Sequence, residues 1–419
     1  MAMTKQPIVA TSWRPTSGRV RLWNAVALVL ALAWLALIFL TLAPDPDDFQ
    51  YYWQGARSIV QFGDPYALIR GNQPAIAYVY PPLFAYAIVP FGWLTQRQGQ
   101  LAWFGVNMLL LGLLLAVCIR LSRSALARRY WGVLALLLVI APPTRISLQL
   151  GQISILMALV MIGSFALARR RSWLAGTLLA LAALIKIYPA ALAGYFALRR
   201  RGVLGRGVAA GLVIVALSLL LHGAGPYINY LNKVVLGRDY PYFGEHNISL
   251  FGFWGRLLIA NDYGVALMHA PWLARMLIGA SGLAVLAVCV WASRAAAGAL
   301  GEQLRFGVWL CGMMLLSPSN GAYTFVVLLM PLLAVLRYLE LNNDRRIRAW
   351  LIVGTALVCW PPAWTDWNPW LYNTLHVRFG LLLLTPAIYG LVIYVGLLAY
   401  LVRSERAACS VQPADASVQ

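Results

Sequence analysis

Three carboxylates lie within four residues of one another in a short segment that contains two prolines, at Asp45, Asp47 and Asp48. They follow a long apolar run, and acids at a membrane surface are costly to place there without a use. On a helix, Asp48, Tyr51 and Tyr52 share one face because their spacing is i, i+3 and i+4. A partly buried carboxylate beside tyrosines is suited to act as a general base toward a hydroxyl. The alternative is a helix N-cap followed by solvated acids.

A single lysine, Lys186, lies inside an apolar run that ends at Pro189. Its ammonium could snorkel to the nearer membrane surface or bind an anionic headgroup as a point charge. Arg145 and Arg256 are predicted on the same side of the membrane, where their guanidinium groups could bind the same phosphate through paired donors. The alternative for both arginines is ordinary anchoring at the membrane interface.

Gln152, His246 and Asn247 are weaker candidates for a polar site on that side. Gln152 begins a predicted helix and offers an amide toward a cavity, although such groups more often bond a neighbouring helix. His246 lies between Glu245 and Asn247 and has the strongest claim among the four histidines. Since the histidines are isolated and the five cysteines are scattered, the sequence predicts neither a zinc site nor a disulfide framework.

The composition sets the class of protein that must position these residues. The chain of 419 residues is 61% hydrophobic and only 11% charged, with a mean hydropathy of +0.73. An average soluble domain carries about 25% charged residues. Apolar runs recur from Leu22 to Leu401 and leave no room for a separate water-soluble domain. The sequence therefore predicts an all-α polytopic membrane protein and excludes soluble enzymes and nucleic-acid-binding folds.

The net charge of +20 is explained by membrane topology. Seven clusters hold 23 of the 33 basic residues, whereas the segments between them hold eight of the 13 acids. Since positive residues stay on the cytoplasmic side, we expect both termini inside and the acidic loops at about 44–98 and 223–269 outside. The basic clusters lie at 5–21, 120–129, 169–171, 199–206, 294–305, 337–348 and 403–406.

Consecutive cytoplasmic clusters must be joined by an even number of crossings, which decides two ambiguous segments. Between the first two clusters, the short proline-bounded stretch 82–95 is predicted as an interfacial or re-entrant helix. Between the third and fourth there is room only for a kinked, partly re-entrant hairpin with Lys186 at its outer apex. The total is about 10 to 12 transmembrane helices in a single domain, 1–402, followed by a polar cytoplasmic tail, 403–419.

A set of short motifs follows one another along the predicted outer side. In chain order they are Asp48-Phe49-x-x-Tyr52, Gly63-Asp64-Pro65-Tyr66, Tyr80-Pro81-Pro82-Leu83, Gly151-Gln152-Ile153-Ser154, Lys186-Ile187-Tyr188-Pro189, Asn247-x-Ser249-Leu250-x-Gly252 with Arg256, and Leu316-Ser317-Pro318. In order and spacing these motifs resemble glycosyltransferase family 87 over roughly residues 22 to 340. One departure is Tyr323-Thr324, where many members carry a His-His pair, so the resemblance does not imply the acceptor.

The resemblance implies a GT-C-like bundle and an inverting enzyme that takes a hexosyl residue from a polyprenyl-phosphate sugar. Mannose is the sugar of the best-known members. Asp48 matches the expected catalytic base, with Asp45 and Asp47 as alternates. It would deprotonate an acceptor hydroxyl as the oxygen attacks the anomeric carbon, while polyprenyl phosphate leaves.

The leaving phosphate is expected to be bound by Lys186, Arg256 and Arg145. No metal or other cofactor is expected, because several cations already face a monophosphate. The expected partners are the polyprenyl-phosphate sugar, a lipid or glycan acceptor and membrane lipids, with no nucleic acid. The residues expected to contact the sugar or the acceptor are Tyr51, Tyr52, Tyr80, Gln152, His246 and Asn247.

The chief alternative is a polytopic transporter or flippase for lipid-linked sugars or anions. Carriers of this kind usually have broken helices in paired halves, and Pro189 has no obvious counterpart. A second alternative is an inactive scaffold that binds isoprenoid lipid. The resemblance favours the enzyme, in a bacterial inner membrane with its active site facing the outer side.

Overall fold

A computed structural model describes most of the chain, with the backbone alone at Asp47 and over 406–411. Asp45 and the side chain of Asp47 therefore lie outside the described residues. Within those residues every regular element is a helix, apart from two isolated β-bridges. The prediction of an all-α protein is confirmed. The described ranges are 17–42, 47–67, 78–236, 242–294, 298–361 and 369–411.

Twenty α-helices follow one another in the described part of the chain. The first ten are α1 (Ser17–Leu40), α2 (Asp47–Phe62), α3 (Pro82–Ala87), α4 (Val89–Gly92), α5 (Gln96–Ser122), α6 (Ala125–Arg129), α7 (Trp131–Ile140), α8 (Pro142–Gln149), α9 (Ser154–Leu167) and α10 (Ser172–Ile185). The others are α11 (Leu192–Arg199), α12 (Arg201–His222), α13 (Gly225–Asn229), α14 (Leu250–Leu258), α15 (Pro271–Arg294), α16 (Ala299–Leu316), α17 (Leu329–Asn342), α18 (Arg345–Val358), α19 (Pro369–Leu375) and α20 (Ala387–Val411). 3₁₀-helical segments lie at Tyr188–Ala191, Ala322–Leu328 and Arg378–Leu382, and a π-helical segment at Tyr230–Val235.

Six of these elements are long and apolar enough to cross a membrane: α1, α5, α12, α15, α20, and α17 with the 3₁₀ segment before it. A bent pair, α7 and α8, meets at 60° and adds a seventh candidate. Two further apolar helices, α9 and α10, have only 14 residues each. The ten to twelve predicted crossings would have to include such short helices, so that count stays a prediction.

The first outer loop is built from α2, α3 and α4. The helices α3 and α4 have six and four residues, so the stretch 82–95 does not span the membrane, as the parity of crossings predicts. Both carry a proline in the first turn, where its missing N–H costs no hydrogen bond. They pack against the 16-residue α2. This packing fixes the helix on which Asp48 lies.

The chain also breaks at Lys186, as predicted. Helix α10 ends at Ile185, Lys186 has an extended backbone (φ −134°, ψ 137°), and Pro189 lies in the first turn of the next 3₁₀ segment. Because proline cannot donate a helical hydrogen bond, α10 does not continue into α11. The break turns a long cationic side chain into the interior, where Lys186 is only 9% exposed.

Helix α16 forms the centre of the bundle and is buried along nearly its whole length. Near its start, the Glu302 carboxylate accepts hydrogen bonds from Arg199 at 2.5 Å, Arg305 at 2.8 Å and Tyr195 at 2.9 Å. Buried charges are tolerated when they are paired in this way. Arg199 and Arg305 belong to two of the basic clusters that are predicted to lie on the cytoplasmic side.

Candidate active site

Asp48 lies in the first turn of α2, where a carboxylate is favoured by the positive end of the helix dipole. The next residue fastens this turn, because the N–H of Phe49 donates to the carbonyl of Leu150 at 3.0 Å. The side chain of Asp48 is half-buried. Its negative charge interacts electrostatically with the side chains of four surrounding residues, Tyr52, Tyr80, Lys186 and Tyr323.

A hydrogen-bonded cluster links the first outer loop to the break at Lys186. The Tyr52 hydroxyl lies 3.0 Å from the Tyr80 hydroxyl and donates to Oε1 of Gln152, also at 3.0 Å. The same Oε1 accepts from the Lys186 ammonium at 3.3 Å. Four residues predicted for the site thus meet in one place, with Asp48 in electrostatic reach of them.

Two tyrosine rings lie against the Lys186 ammonium. Its Nζ is 5.0 Å from the ring centroid of Tyr80 and 5.4 Å from that of Tyr323, distances at which a cation is attracted to the ring face. An ammonium held this way is poorly hydrated, so an anion beside it would feel little screening. Sequence reasoning missed Tyr323 as a site residue. The sequence did contain one indication of its role, because Tyr323 lies where many family members carry a polar pair.

Tyr80 is fixed at both ends. Its carbonyl accepts from the hydroxyl of Tyr66 at 2.6 Å, and its own hydroxyl meets that of Tyr52. Burial, together with the nearby carboxylate of Asp48, raises the pKa of the Tyr80 phenol above its ordinary value. The hydroxyl therefore stays protonated at neutral pH and keeps both its donor and its acceptor capacity.

Gly151 joins the Asp48 turn to Gln152 through a tight bend. Its φ is +65°, a left-handed conformation that favours glycine. Its carbonyl accepts from the indole N–H of Trp103 at 2.7 Å. A Cβ at this position would lie 2.6 Å from the Cβ of Phe49, so any side chain must displace the residue that follows the candidate base.

We expect Gly151→Ala to lower both stability and turnover. The left-handed backbone alone costs an alanine roughly 1–2 kcal/mol, and the clash with Phe49 shifts the neighbouring carboxylate. Thermal unfolding of the detergent-purified protein measures the first effect, and sugar transfer measures the second. Gly112→Ala is the matched control, since a Cβ at Gly112 meets nothing within 4 Å. An unfolding temperature equal for both variants would contradict the prediction.

Arg256 stabilises the second outer loop through its two terminal nitrogens. Its guanidinium, 1% exposed, donates to three carbonyls of the stretch 243–247 at 2.7 to 3.2 Å. It also donates to Oγ1 of Thr385 at 2.9 Å. Both terminal nitrogens therefore bond within the protein, whereas Nε has no hydrogen-bond partner among the described residues, so the phosphate contact stays a prediction. The sequence could not reveal this, because spacing does not tell where a side-chain donor is used.

Asn247 bonds within the protein through its whole side-chain amide, which contradicts the predicted sugar contact. Its amide nitrogen donates to the carbonyls of Tyr242 at 2.9 Å and Pro318 at 3.0 Å. Its amide oxygen accepts from the hydroxyl of Ser249 at 2.8 Å and the N–H of Asn320 at 3.1 Å. An asparagine side chain has two N–H donors and two acceptor sites, and all four are filled. Asn247 therefore joins two outer segments and has no capacity left for a sugar.

Arg256→Met is expected to destabilise the protein by about 3 kcal/mol or more, because several buried carbonyls would lose their donor. The measurement is thermal unfolding, with Arg378→Met as the control on the same outer side. Arg378 is exposed, so its replacement should leave unfolding unchanged. A stable Arg256→Met protein with weakened donor binding would contradict this expectation and support the predicted phosphate contact.

The remaining predicted residues lie at the margin of the cluster. Arg145 is half-buried on α8, which packs against Ala322–Leu328, and its Nε has no hydrogen-bond partner among the described residues. Tyr51 is half-buried beside the Asp48 turn. His246 pairs with Glu245 at 3.2 Å, and its side chain is 54% exposed. Arg145 thus stays a candidate phosphate ligand, whereas His246 lies outside the buried network.

The described residues contain no group of three or more His, Cys, Asp or Glu side chains that could hold a metal ion. Asp45 and the Asp47 side chain, which would be candidate ligands, are not among those residues. Metal independence therefore stays a prediction.

The helices and the cluster together define a polytopic membrane protein with a carboxylate, a buried ammonium and phenols on one side of the bundle. A family model described as glycosyltransferase family 87 matches residues 78–318, which is more than half of the chain and includes Tyr80, Gln152 and Lys186. The protein is therefore a membrane glycosyltransferase. The chain belongs to glycosyltransferase family 87.

Its relatives differ in the sugar that they transfer. A polyprenol-phosphate-mannose-dependent alpha-(1-2)-phosphatidylinositol mannoside mannosyltransferase of Mycobacterium tuberculosis is 28% identical, over 82% of this chain and 83% of its own length. An alpha-(1->3)-arabinofuranosyltransferase of Corynebacterium glutamicum is 25% identical, over 94% of both chains. The crystal structure of ArnT from Cupriavidus metallidurans in the apo state matches 93% of this chain and 77% of that one, with 18% identity and a TM-score of 0.44.

Proposed function

We propose that this glycosyltransferase moves a hexosyl residue, mannose in the first instance, from polyprenyl phosphate to a hydroxyl of a lipid or glycan acceptor at the outer face of the inner membrane. The observation that carries the proposal is the shared surroundings of Asp48 and Lys186, which both act on Tyr80 and Tyr323. A displacement at an anomeric carbon needs a base where the acceptor attacks and a cation where phosphate leaves. These two residues supply that pair.

In the proposed reaction, the acceptor oxygen attacks the anomeric carbon while its proton passes to the Asp48 carboxylate. The bond between the anomeric carbon and the phosphate oxygen breaks, and the electron pair stays on polyprenyl phosphate. One such displacement inverts the anomeric configuration. Asp48 is proposed as the base because it matches the position expected from the family resemblance and its charge acts on Tyr52, Tyr80 and Lys186. Asp45 and Asp47 are the alternates.

Lys186 is proposed to stabilise the charge that develops on the leaving phosphate. A preorganised cation in a water-poor site contributes most to the transition state, because it needs no reorganisation. Its present partner, Oε1 of Gln152, is neutral, so the ammonium can exchange that bond for a stronger one to phosphate. Arg145 is proposed as a second phosphate ligand, since its Nε lacks a partner among the described residues.

The sugar is proposed to lie against the phenols of the cluster. Tyr52 and Tyr80 offer both ring faces and hydroxyls, and Gln152 adds an amide that already bridges Tyr52 and Lys186. Such groups fix the orientation of a sugar through its hydroxyls and its apolar faces. Tyr51 is kept as a contact on the acceptor side, because it lies in the same first turns of α2 as Asp48.

The identity of the sugar is tested by donor competition. The M. tuberculosis relative is named for mannose and the C. glutamicum relative for arabinofuranose. Purified protein in nanodiscs is offered polyprenyl-phosphate mannose or polyprenyl-phosphate arabinofuranose with extracted membrane lipids as acceptors. Preferential transfer of mannose supports the proposal. Preferential transfer of arabinofuranose would overturn the choice of sugar, and transfer of neither would overturn the proposed function.

The reaction is proposed to need no metal, because protein cations take the place of a divalent ion at the leaving phosphate. We therefore expect EDTA to leave the initial rate of transfer unchanged within twofold. The control is the same assay after chelation and readdition of Mg²⁺ or Mn²⁺. A rate that falls with EDTA and returns with either ion would contradict the proposal and direct attention to Asp45 and Asp47.

We also propose a single membrane domain over 1–402 with both termini in the cytoplasm and a cytoplasmic tail over 403–419. One continuous hydrophobic cluster from Ala31 to Val402 supports the single domain. The distribution of basic clusters supports the orientation. Labelling of single cysteines at both termini with an impermeant reagent tests it, since termini on the outer side would react in intact cells.

A further inference from the structure

The segment that follows α12 carries an exposed apolar stripe. Gly223, with φ +75°, ends α12, and α13 then continues into the π-helical turn 230–235. Leu220 and Leu221, in the last turn of that candidate span, are 82% and 75% exposed. The stripe continues their lipid-facing surface, so the bilayer is its natural occupant. Its members are Ile228 (55% exposed), Leu231 (48%), Val235 (44%) and Leu236 (70%).

The opposite side of this segment holds the first outer loop. Nδ2 of Asn229 donates to Oδ2 of Asp64 at 2.5 Å, and one turn later Nζ of Lys233 donates to the carbonyl of Tyr66 at 3.0 Å. The ring of Tyr230 lies 5.9 Å from that of Tyr66. Three successive contacts therefore connect two outer loops that are more than 160 residues apart in sequence.

Tyr66 connects these contacts to the candidate site. Its side chain is fully buried, and its hydroxyl donates to the carbonyl of Tyr80 at 2.6 Å. The hydroxyl of Tyr80 meets that of Tyr52, and its ring lies against the Lys186 ammonium. The position of Tyr80 thus depends on where Tyr66 is held.

We propose that Gly225–Leu236 is a clamp that lies on the outer membrane surface, and that Lys233 is a positioning residue for Tyr80. The apolar stripe seats the clamp in lipid, and the charged hydrogen bond from Lys233 to the carbonyl of Tyr66 ties the first outer loop to it. The inference rests on the proposed function only in giving Tyr80 a place in the site.

The first test compares Lys233→Met with Asn232→Met in nanodiscs. Both changes introduce methionine in the same turn, but Asn232 is exposed, whereas Lys233 is half-buried and bonds the carbonyl of Tyr66. Amide exchange of peptides that contain Val79 and Tyr80 should become about tenfold faster in Lys233→Met and stay unchanged in Asn232→Met. Lys233→Arg, which keeps a charged donor, should restore slow exchange. Equal exchange in Lys233→Met and the wild type would overturn the clamp, whatever the activity.

The second test asks whether Lys233 acts through Tyr66. We expect Lys233→Met to lower kcat about tenfold, the effect of one charged hydrogen bond, with thermal unfolding little changed. Tyr66→Phe removes the hydroxyl that holds the Tyr80 carbonyl. If both act through Tyr80, the double variant should be no slower than the slower single variant. Multiplied losses would overturn the inference, whereas absence of transfer by the wild type would overturn only the proposed function.

Discussion

Asp48→Asn is expected to lower kcat for sugar transfer by about 10²- to 10⁴-fold, the range that general bases contribute. The amide keeps the size and the polarity of the side chain but cannot accept the acceptor's proton. Because Asp48 lies beside the cluster and contacts no donor in the proposed reaction, KM for the polyprenyl-phosphate sugar should change little. Initial rates over a range of donor concentrations separate the two parameters.

The matched control is Asp262→Asn, a change of the same kind at an exposed acid of the second outer loop. It should transfer sugar at the wild-type rate. Asp48→Glu keeps the carboxylate but moves it by one methylene, so we expect partial activity. An Asp48→Asn protein that is folded and as fast as the Asp262→Asn protein would rule out Asp48 as the base, and Asp47 would be examined next.

Lys186→Met is expected to lower kcat/KM for the donor by about 100-fold, which corresponds to roughly 2.7 kcal/mol. Methionine preserves the apolar stem, so the rings of Tyr80 and Tyr323 keep a neighbour. The charge that would meet the phosphate is lost. Lys186→Arg should recover only part of the activity. The guanidinium keeps the positive charge, but it is planar and larger than the ammonium, so it meets the phosphate in a different geometry.

Arg275→Met serves as the control for removing a cation, since Arg275 is exposed near the start of α15. It should leave donor binding unchanged. Binding of a fluorescent polyprenyl phosphate, without any sugar transfer, measures the affinity directly. Equal affinity in Lys186→Met and Arg275→Met would show that the ammonium does not contact the phosphate and would leave Arg145 as the candidate.

Much of the frame of this fold could be predicted from the sequence. Charge parity and the prolines identified the non-spanning stretch 82–95, and they placed a break beside Lys186; the structure has both features. These features depend on local chemistry, namely the missing N–H of proline and the cost of charge in lipid. The number of crossings was harder to predict, because apolar helices of 14 residues do not reveal whether they span.

The candidate site could be predicted only in part. Tyr52, Tyr80, Gln152 and Lys186 meet as expected, because each is a polar group with few alternative roles in an apolar surrounding. The phosphate contact of Arg256 stays a prediction. Its terminal nitrogens bond to loop carbonyls and to Thr385, and such contacts depend on the backbone path rather than on residue type.

Tyr323 is a site residue that the sequence did not predict. It was noticed as a departure from the family pattern, but nothing in its type or spacing predicted that its ring would lie 5.4 Å from the Lys186 ammonium. The 3₁₀ segment Ala322–Leu328, rather than a regular helix, presents it there. Long-range contacts of this kind are set by packing between elements and are absent from single-sequence patterns.

The central claim is one displacement at the anomeric carbon, with a carboxylate base on one side and a cation on the other. Its most direct test is the anomeric configuration of the product, read from NMR coupling constants after transfer from a polyprenyl-phosphate sugar of defined configuration. We expect complete inversion, with one polyprenyl phosphate released per sugar transferred. Retention of configuration would contradict the proposed reaction, because a single in-line displacement inverts the anomeric carbon.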